Sequence, residues 1–203
     1  MPREESMILA SGSAIRARLL RDAGLRFEVQ PADIDEEACR LEDPGARARE
    51  LALGKARAIA ARHPERLVLG SDQVFTLDGR FVPKPVDRAS LIAKLRSLSG
   101  RTHVFHCGLA LVRGSEVLLD VVDRAEVSIH ELGEAEIAAY ADTGEGIGCA
   151  GGYRLEEGGV RLIREVRGSH FTVLGLPMLE LVAALRRLGL QEALYRRPEG
   201  DPR

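Results

Sequence analysis

The sequence predicts a mixed α/β fold, and three observations support this prediction. Segments with strand-like apolar runs alternate with segments of helix-like periodicity, which is typical of α/β proteins. Two strand-like segments, 102–114 and 116–130, follow each other with no helix between them, so part of the sheet should be antiparallel. A length of 203 residues suits one domain or two close-packed lobes.

The composition is typical of a globular protein and argues against several function classes. With 45% hydrophobic and 30% charged residues, the chain can form a core with a solvated surface. A formal charge of −2 argues against a general nucleic-acid binder. No run of about 18 apolar residues predicts a membrane span, and the N-terminal MPREES lacks the apolar segment of a signal peptide. Cys39, Cys107 and Cys149 lack a CxxC spacing and indicate reduced thiols in the cytoplasm. For Cys149 a small buried filler is the favoured interpretation, and a position near a site is the alternative.

The first 64 residues predict two strands and two helices. A short apolar run from Met7 starts the chain, and apolar residues at helical spacing follow in 14–23, stopped by Gly24. Alternating residues in 25–31 predict a strand. A longer helix should begin at Pro44 and end before the next proline at position 64.

The stretch LVLGSDQVFTLDG, residues 67–79, places a carboxylate within an apolar pattern. Ser71, Asp72 and Gln73 lie between two strand-like runs. An unpaired buried charge is costly, so such a group is paired, metal-bound or exposed in a cleft. The other interpretation is an ordinary loop between two strands, and this stretch alone does not decide between them.

The remaining elements follow from turn signals and apolar spacing. Residues 77–80 have the signal of a hairpin turn. The polar tail from Tyr195 should fray. Predicted between them are a helix over 87–100 with Gly100 at its C-terminal cap, strands over 102–114 and 116–130, a helix over 133–145, a strand over 159–169 and a helix over 176–189 with Pro177 near its first turn.

Four charged sites could bind phosphate or metal. LASGSAIRARLL places Ser11, Ser13 and Arg16 at a strand-to-helix turn, where backbone N–H groups attract anions; an ordinary serine N-cap is the alternative. The DIDEE stretch over 33–37 clusters carboxylates that can hold Mg²⁺ together with Asp72, although an acidic loop would look the same. The ammonium groups of Lys55 and Lys84 complete the set.

Lys55 and Lys84 differ in how far the sequence positions them. Lys55 lies in a helix where every other basic residue is an arginine, and a plain surface lysine is an equally good interpretation. Lys84 stands between two prolines in VPKPV, which restrict the backbone and partly fix the direction of the side chain. A positioned ammonium suits a triphosphate.

Seven segments in this order resemble the Maf family of nucleoside triphosphate pyrophosphatases over positions 8 to about 189: LASGSAIRARLL, FEVQPADIDE, ALGKA, GSDQVFTLDGRFVPKP, LRSLSGRTHVFHCGLAL, CAGGYRLE and VRGSHFTVLGLPMLEL. The resemblance implies an elongated mixed β-sheet in two lobes with flanking helices and a central cleft, all within one domain over 1–203. It implies a cytoplasmic, homodimeric house-cleaning hydrolase of nucleotide metabolism that uses Mg²⁺ or Mn²⁺ and has no nucleic-acid or membrane partner. It would cleave a nucleoside triphosphate between the α and β phosphates to give the monophosphate and pyrophosphate.

The resemblance also implies roles for individual residues. Residues expected to bind substrate are Ser11, Arg16, Lys55 and Lys84. Glu36 and Asp72 would hold the metal, and Asp72 would also accept a proton from the attacking water. These roles agree with the chemistry, because attack on a triphosphate needs charge neutralisation and an oriented water.

Three residues bear on the choice of nucleotide. Gln73 and Glu156 resemble the branch of the family that acts on 7-methyl-GTP, and a carboxylate at Glu156 suits the cationic 7-methylguanine ring. Ile15 departs from the arginine or tryptophan typical of the family, which leaves the base preference open. The alternatives are a dTTP/UTP pyrophosphatase of the same family and a non-catalytic nucleotide-binding regulator linked to cell division.

Overall fold

The computed structural model describes residues 6–195, so the predicted polar tail beyond Tyr195 and the MPREE segment lie outside the described residues. The strands are β1 (Met7–Leu9), β2 (Phe27–Val29), β3 (Leu67–Leu77), β4 (Arg80–Phe81), β5 (Thr102–Arg113), β6 (Glu116–Ile129) and β7 (Ile163–Arg167). The helices are α1 (Ala14–Asp22), α2 (Pro44–Ala60), α3 (Arg88–Leu98), α4 (Glu134–Ala141), α5 (His170–Val173), α6 (Met178–Arg187) and α7 (Gln191–Leu194). No helix in this range is long and apolar enough to span a membrane.

The strands form one mixed sheet in the order β2-β1-β3-β5-β6-β7, with β4 paired to the far end of β3. The pairings of β1 with β2 and β3 are parallel, whereas β3, β5, β6 and β7 pair antiparallel. The predicted mixed α/β fold with flanking helices is therefore confirmed. The division into two lobes stays a prediction.

Strand β3 decides the question raised by the polar triplet. It runs unbroken through Ser71, Asp72 and Gln73, and it pairs with β5 along its whole length, with Asp72 opposite Gly108. The loop interpretation is therefore wrong, and the carboxylate belongs to a central strand. Alternation places Asp72 on one face of the sheet and the two flanking polar residues on the other.

Two of the predicted strands are shorter in the structure than the sequence indicated. The predicted strand over 159–169 begins as a 3-10 helix over Gly158–Leu162, and only Ile163–Arg167 pairs with β6. The strand predicted over 25–31 is reduced to Phe27–Val29, which is an exposed edge of the sheet. Apolar alternation at an edge is a weak signal because only one side is buried.

Three apolar clusters surround the sheet, and β3 contributes to each. Leu67 and Leu69 pack into a cluster with α1 and α6, and Val68 packs with α2 on the opposite face. Phe75 and Leu77 join a third cluster with α3 and α4. The polar triplet lies between these clusters, at the point where the buried side chains of β3 change partners.

Helix α2 approaches the sheet unusually closely through two glycines. A Cβ built at Gly70 would lie 2.1 Å from the carbonyl oxygen of Ala52, and one at Gly108 would lie 2.1 Å from that of Ala48. Real Cβ atoms do not tolerate such distances, so only glycine permits this contact. Gly70 and Asp72 share a face of β3, and the close approach therefore carries the α2 residue Lys55 over the carboxylate.

We expect Gly70→Ala to lower the free energy of unfolding by about 2 kcal/mol or more, because the new methyl group must push α2 away from β3. Urea unfolding followed by circular dichroism measures this. Gly133→Ala is the matched control: its φ is −76°, a Cβ there meets nothing within 4 Å, and its cost should stay below about 1 kcal/mol. Equal urea midpoints for the two variants would contradict the close-contact argument.

Candidate active site

A cavity of about 590 Å³ opens beside the middle of β3. Strand β1 pairs with β3 only as far as Leu69, and β4 pairs with it again only from Thr76. Between these points this edge of β3 has no strand partner in the described part of the chain. The cavity occupies that gap and is lined, among others, by Ser11, Ile15, Arg16, Glu36, Lys55, Asp72, Gln73, Lys84, Cys149, Glu156 and Gly175.

The floor of the cavity holds a three-membered ionic cluster. Lys55 Nζ lies 2.6 Å from Asp72 Oδ1 and 2.6 Å from Glu36 Oε1. The side chains of Lys55 and Asp72 are almost buried, whereas the Glu36 side chain is 54% exposed. The carboxylate in the core strand is thus paired, as its burial requires. The interpretation of Lys55 as a plain surface lysine is wrong, because its side chain is 10% exposed and paired with two carboxylates; its role in binding substrate stays a prediction.

The neighbours of Glu36 favour its ionised form. Partial burial raises the pKa of this carboxyl group, but the hydrogen bond and charge of Lys55 outweigh that effect, and Lys84 and Arg16 add to it. The net result is a pKa below the ordinary value for glutamate. Four charged groups therefore influence one another across the cavity.

Arg16 joins the open edge of β3 to two other segments. Its Nη1 donates to the carbonyl oxygen of Ser71 and to Ser11 Oγ, both at 2.9 Å, and its Nε donates to the carbonyl oxygen of Gly175 at 2.7 Å. The residue Arg16 is 9% exposed, and its guanidinium group satisfies a strand carbonyl that has no strand partner. Among the described residues Nη2 has no hydrogen-bond partner, so its two N–H groups remain for a ligand.

Lys84 also lines the cavity, and its side chain is exposed. No ion pair or hydrogen bond of its ammonium group is found among the described residues, in contrast to Lys55. Its backbone follows the β3–β4 hairpin, whose turn at 77–80 is confirmed by the positive φ angles of Asp78 and Gly79. A long, unpaired cation on the rim can follow a mobile anionic ligand.

The three predicted specificity residues all line the cavity, but they differ in what they can offer. Gln73 Nε2 already donates to the carbonyl oxygens of Thr172 and Val173, at 2.8 and 3.0 Å, so only its Oε1 is available. Ile15 presents an apolar surface near the N-terminus of α1. Glu156 is half-buried and has no ion-pair partner in the described range, whereas the adjacent Glu157 pairs with Arg154.

The acidic stretch 33–37 does not act as a cluster. Asp35 caps the short helix Glu36–Ala38 by accepting hydrogen bonds from the backbone N–H groups of Glu37 and Ala38. Of this stretch, Glu36 lines the cavity. Within residues 6–195 no three His, Cys, Asp or Glu residues lie close enough to hold a metal by themselves.

Several contributors to the site were not predicted from the sequence. The segment 169–175, for which the sequence indicated no role at the site, supplies the Gly175 carbonyl that accepts from both Arg16 Nε and Ser71 Oγ. Cys149, predicted as a buried filler, is half-exposed on the cavity wall. Lys94 lies just behind that wall. Lysine itself was the available signal, because only three of the 29 lysines and arginines are lysines. Two of them, Lys55 and Lys84, line the cavity, and Lys94 bonds to a carbonyl of the lining residue Ala150.

The comparisons agree with this geometry. The family described as Maf-like protein matches residues 6–188. A protein from Nitrobacter winogradskyi named nucleoside triphosphate pyrophosphatase is 45% identical over 90% of this chain and 93% of its own length. A protein from Rhizobium etli named 7-methyl-GTP pyrophosphatase is 44% identical over 90% of this chain and 96% of its own. A solved dITP/XTP pyrophosphatase from Mycobacterium abscessus, with 21% identity over 90% of this chain and 94% of its own, has a TM-score of 0.41, which supports no inference.

Arg16→Lys should destabilise the protein by roughly 1–3 kcal/mol even without a ligand, because one ammonium group cannot replace the planar fork that serves three acceptors. Thermal unfolding compares it with Arg18→Lys on the same helix, where the guanidinium is 55% exposed and pairs loosely with Asp22 at 3.5 Å. The control should change stability by less than about 0.5 kcal/mol. Equal melting temperatures for the two variants would show that the three hydrogen bonds of Arg16 do not stabilise the fold.

Proposed function

Because the chain belongs to the Maf family, we propose that it is a nucleoside triphosphate pyrophosphatase, which hydrolyses the bond between the α and β phosphates to give a nucleoside monophosphate and pyrophosphate. The observation that carries the proposal is the nearly buried Asp72 carboxylate on the cavity floor, hydrogen-bonded to Lys55. A pure nucleotide binder would need cations around the phosphates but no carboxylate among them.

The phosphates would be held by the cationic side of the cavity. Lys84 on the rim has no ion-pair partner among the described residues, and Arg16 keeps the two N–H groups of its Nη2 free. Helix α1 opens into the same space, and Ser13 at its N-cap makes no side-chain capping bond, so the first backbone N–H groups can receive an anion. Ser11, which already accepts from Arg16 and the Ser13 N–H, would orient this phosphate-binding turn.

Asp72 would act on the attacking water. Its Oδ1 is bound to Lys55, while Oδ2 has no hydrogen-bond partner in the described part of the chain and can accept a hydrogen bond from water. Lys55 positions the carboxylate and offsets the negative charge that builds up when a triphosphate enters. The proton removed from water would pass to Asp72.

The residues present also fit a divalent cation. Asp72 and Glu36 each lie 2.6 Å from one ammonium nitrogen, so their oxygens are no farther apart than twice that distance. Mg²⁺ is commonly held by one or two carboxylates plus substrate phosphates and water, so a third protein ligand is not required. Asp72 and Glu36 would hold Mg²⁺ or Mn²⁺, and a bound divalent cation would supply positive charge that offsets the charge of the phosphates.

The preferred nucleotide is proposed to be 7-methyl-GTP. Methylation at N7 makes the guanine ring cationic, and Glu156 offers a half-buried carboxylate without a counter-ion among the described residues. The carboxylate can also accept hydrogen bonds from the ring N1–H and the exocyclic amine. The proposal includes a cytoplasmic location and a homodimer, which rest on the family resemblance.

Asp72→Asn should lower pyrophosphate release roughly 10²- to 10⁴-fold while leaving the fold intact, because the amide keeps the shape but cannot take the proton. Pyrophosphate is measured with Mg²⁺ or Mn²⁺ and with EDTA, and circular dichroism verifies folding. Asp22→Asn, on a 62% exposed side chain, is the control and should retain full activity. Near-wild-type turnover by Asp72→Asn would remove the assigned role, and an inactive wild type would favour a nucleotide-binding regulator.

Glu156→Gln should reduce the preference of kcat/KM for 7-methyl-GTP over GTP about tenfold, which corresponds to losing one charge-assisted hydrogen bond. The panel of 7-methyl-GTP, GTP, UTP and dTTP is run on wild type, on this variant and on Glu157→Gln, whose carboxylate pairs with Arg154. The Glu157 variant should keep the wild-type ranking. A wild-type preference for UTP or dTTP would defeat the carboxylate argument.

A further inference from the structure

Lys94 on α3 is a buried cation directly behind the cavity. Lys94 is only 5% exposed, and its ammonium group donates to the carbonyl oxygens of Pro83 at 2.9 Å and Ala150 at 2.6 Å. It also lies 4.2 Å from the centre of the Phe75 ring. Among the described residues no carboxylate pairs with this charge. A buried lysine without a counter-ion is costly, so its retention calls for a reason.

The two carbonyl groups belong to two separate segments of the chain, each of which contributes residues to the cavity lining. Pro83 directly precedes Lys84, the unpaired cation on the rim. Ala150 belongs to the loop 148–153, which lines the side of the cavity near Glu156. No helix or strand contains either carbonyl. The two irregular segments share one backbone hydrogen bond, from the Gly148 N–H to the Pro85 carbonyl oxygen at 2.8 Å, and the Lys94 ammonium group adds a second connection between them.

The stem of Lys94 is also fitted to the loop. A Cβ built at Gly152 would lie 3.2 Å from Lys94 Cδ, and the φ of Gly152 is +74°, so this backbone passes close over the lysine chain. Below it, Phe75 packs at an angle on His103, whose Nε2 lies 2.7 Å from the hydroxyl oxygen of Tyr153. Lys94 therefore bonds to the carbonyl oxygen of Ala150 and passes close to Gly152. The rings of Phe75 and His103 link it indirectly to Tyr153, the last residue of the loop.

We propose that Lys94 is a positioning residue of the nucleotide site, holding the Lys84 segment and the loop 148–153 at a fixed separation so that both walls contact the nucleotide together. The proposal rests on the proposed function for its ligand. Lys94 does not line the cavity, so it acts through Lys84 and the loop rather than by touching the nucleotide. A misplacement of about 1 Å in such walls can cost on the order of 100-fold in rate.

The charge of Lys94 is sensitive to pH near neutrality. Burial lowers its pKa to about 8, with a smaller contribution from the charge of Lys84. Two titratable groups near Lys94 stay neutral at this pH: burial lowers the pKa of His103 to about 3, and burial raises the pKa of Tyr153 well above its ordinary value. As pH rises through 8, Lys94 loses its proton, and its bonds to the two carbonyls lose the strength that the charge adds.

Lys94→Met tests the role, with Arg96→Met as the matched control, because Arg96 lies on the same helix in an exposed pair with Glu134. We expect Lys94→Met to lower kcat/KM for 7-methyl-GTP and GTP 10- to 100-fold, mainly through KM, while Arg96→Met stays at the wild-type value. Amide hydrogen exchange of the ligand-free protein should be faster in 82–86 and 148–153 of the Met variant alone.

The pH profile separates positioning from general destabilisation. The wild-type KM should rise as pH passes from 7 to 9.5, whereas the KM of Lys94→Met should be high and level. Lys94→Arg, which keeps its charge throughout, should restore a low and level KM. A folded Lys94→Met with wild-type KM would overturn the proposal, as would an alkaline rise that persists in that variant.

Failure of the proposed function gives a different result. If the wild type releases no pyrophosphate from any nucleotide, the activity is wrong, but the exchange rates of the two segments still decide whether Lys94 holds them. If Lys94→Met does not fold, the pH profiles of KM for the wild type and for Lys94→Arg test the positioning role instead. A wild-type KM that is level up to pH 9.5 overturns the role.

Discussion

The ionic contact between Lys55 and Asp72 is the constraint on which the rest of the site depends. A carboxylate in a central strand requires a counter-charge, and the counter-charge must come from outside the sheet. Helix α2 can supply it only because Gly70 and Gly108 allow the helix to approach the strands closely. The backbone packing and the charge pairing therefore depend on each other, because the two glycines in the sheet allow α2 to place Lys55 above Asp72.

Much of the fold was predictable because it depends on local signals. Proline at the start of α2, the hairpin turn after Leu77 and the apolar spacing of α3 mark their elements directly. The continuity of β3 through Asp72 was not predictable, since it depends on pairing with β5 and on a lysine 17 residues earlier in the chain. Local propensity treats a charged residue as a break, and only tertiary contacts override it.

The candidate site shows the same division. The sequence identified the residues whose type implies chemistry, such as Arg16, Lys84 and Glu156. It could not show that Arg16 spends three donors on the protein, because two of its acceptors are backbone carbonyls of distant segments. The role of Gly175 could not be predicted for the same reason: every residue has a backbone carbonyl group, so the sequence does not show which carbonyl accepts a hydrogen bond from a side chain. Lys94 escaped because its two acceptors are also carbonyls.

The one-sided pairing of β3 has a consequence for how molecules reach the cavity. On one side the strand is open between β1 and β4, while on the other it is paired in register with β5 over all eleven positions, Leu67 to Leu77. A hinge across the floor would have to break that ladder, which makes bending there expensive. Substrate entry and product release must then depend on movement of the irregular segments at the rim. The rate of product release is therefore set by these loops and not by the β-sheet beneath them.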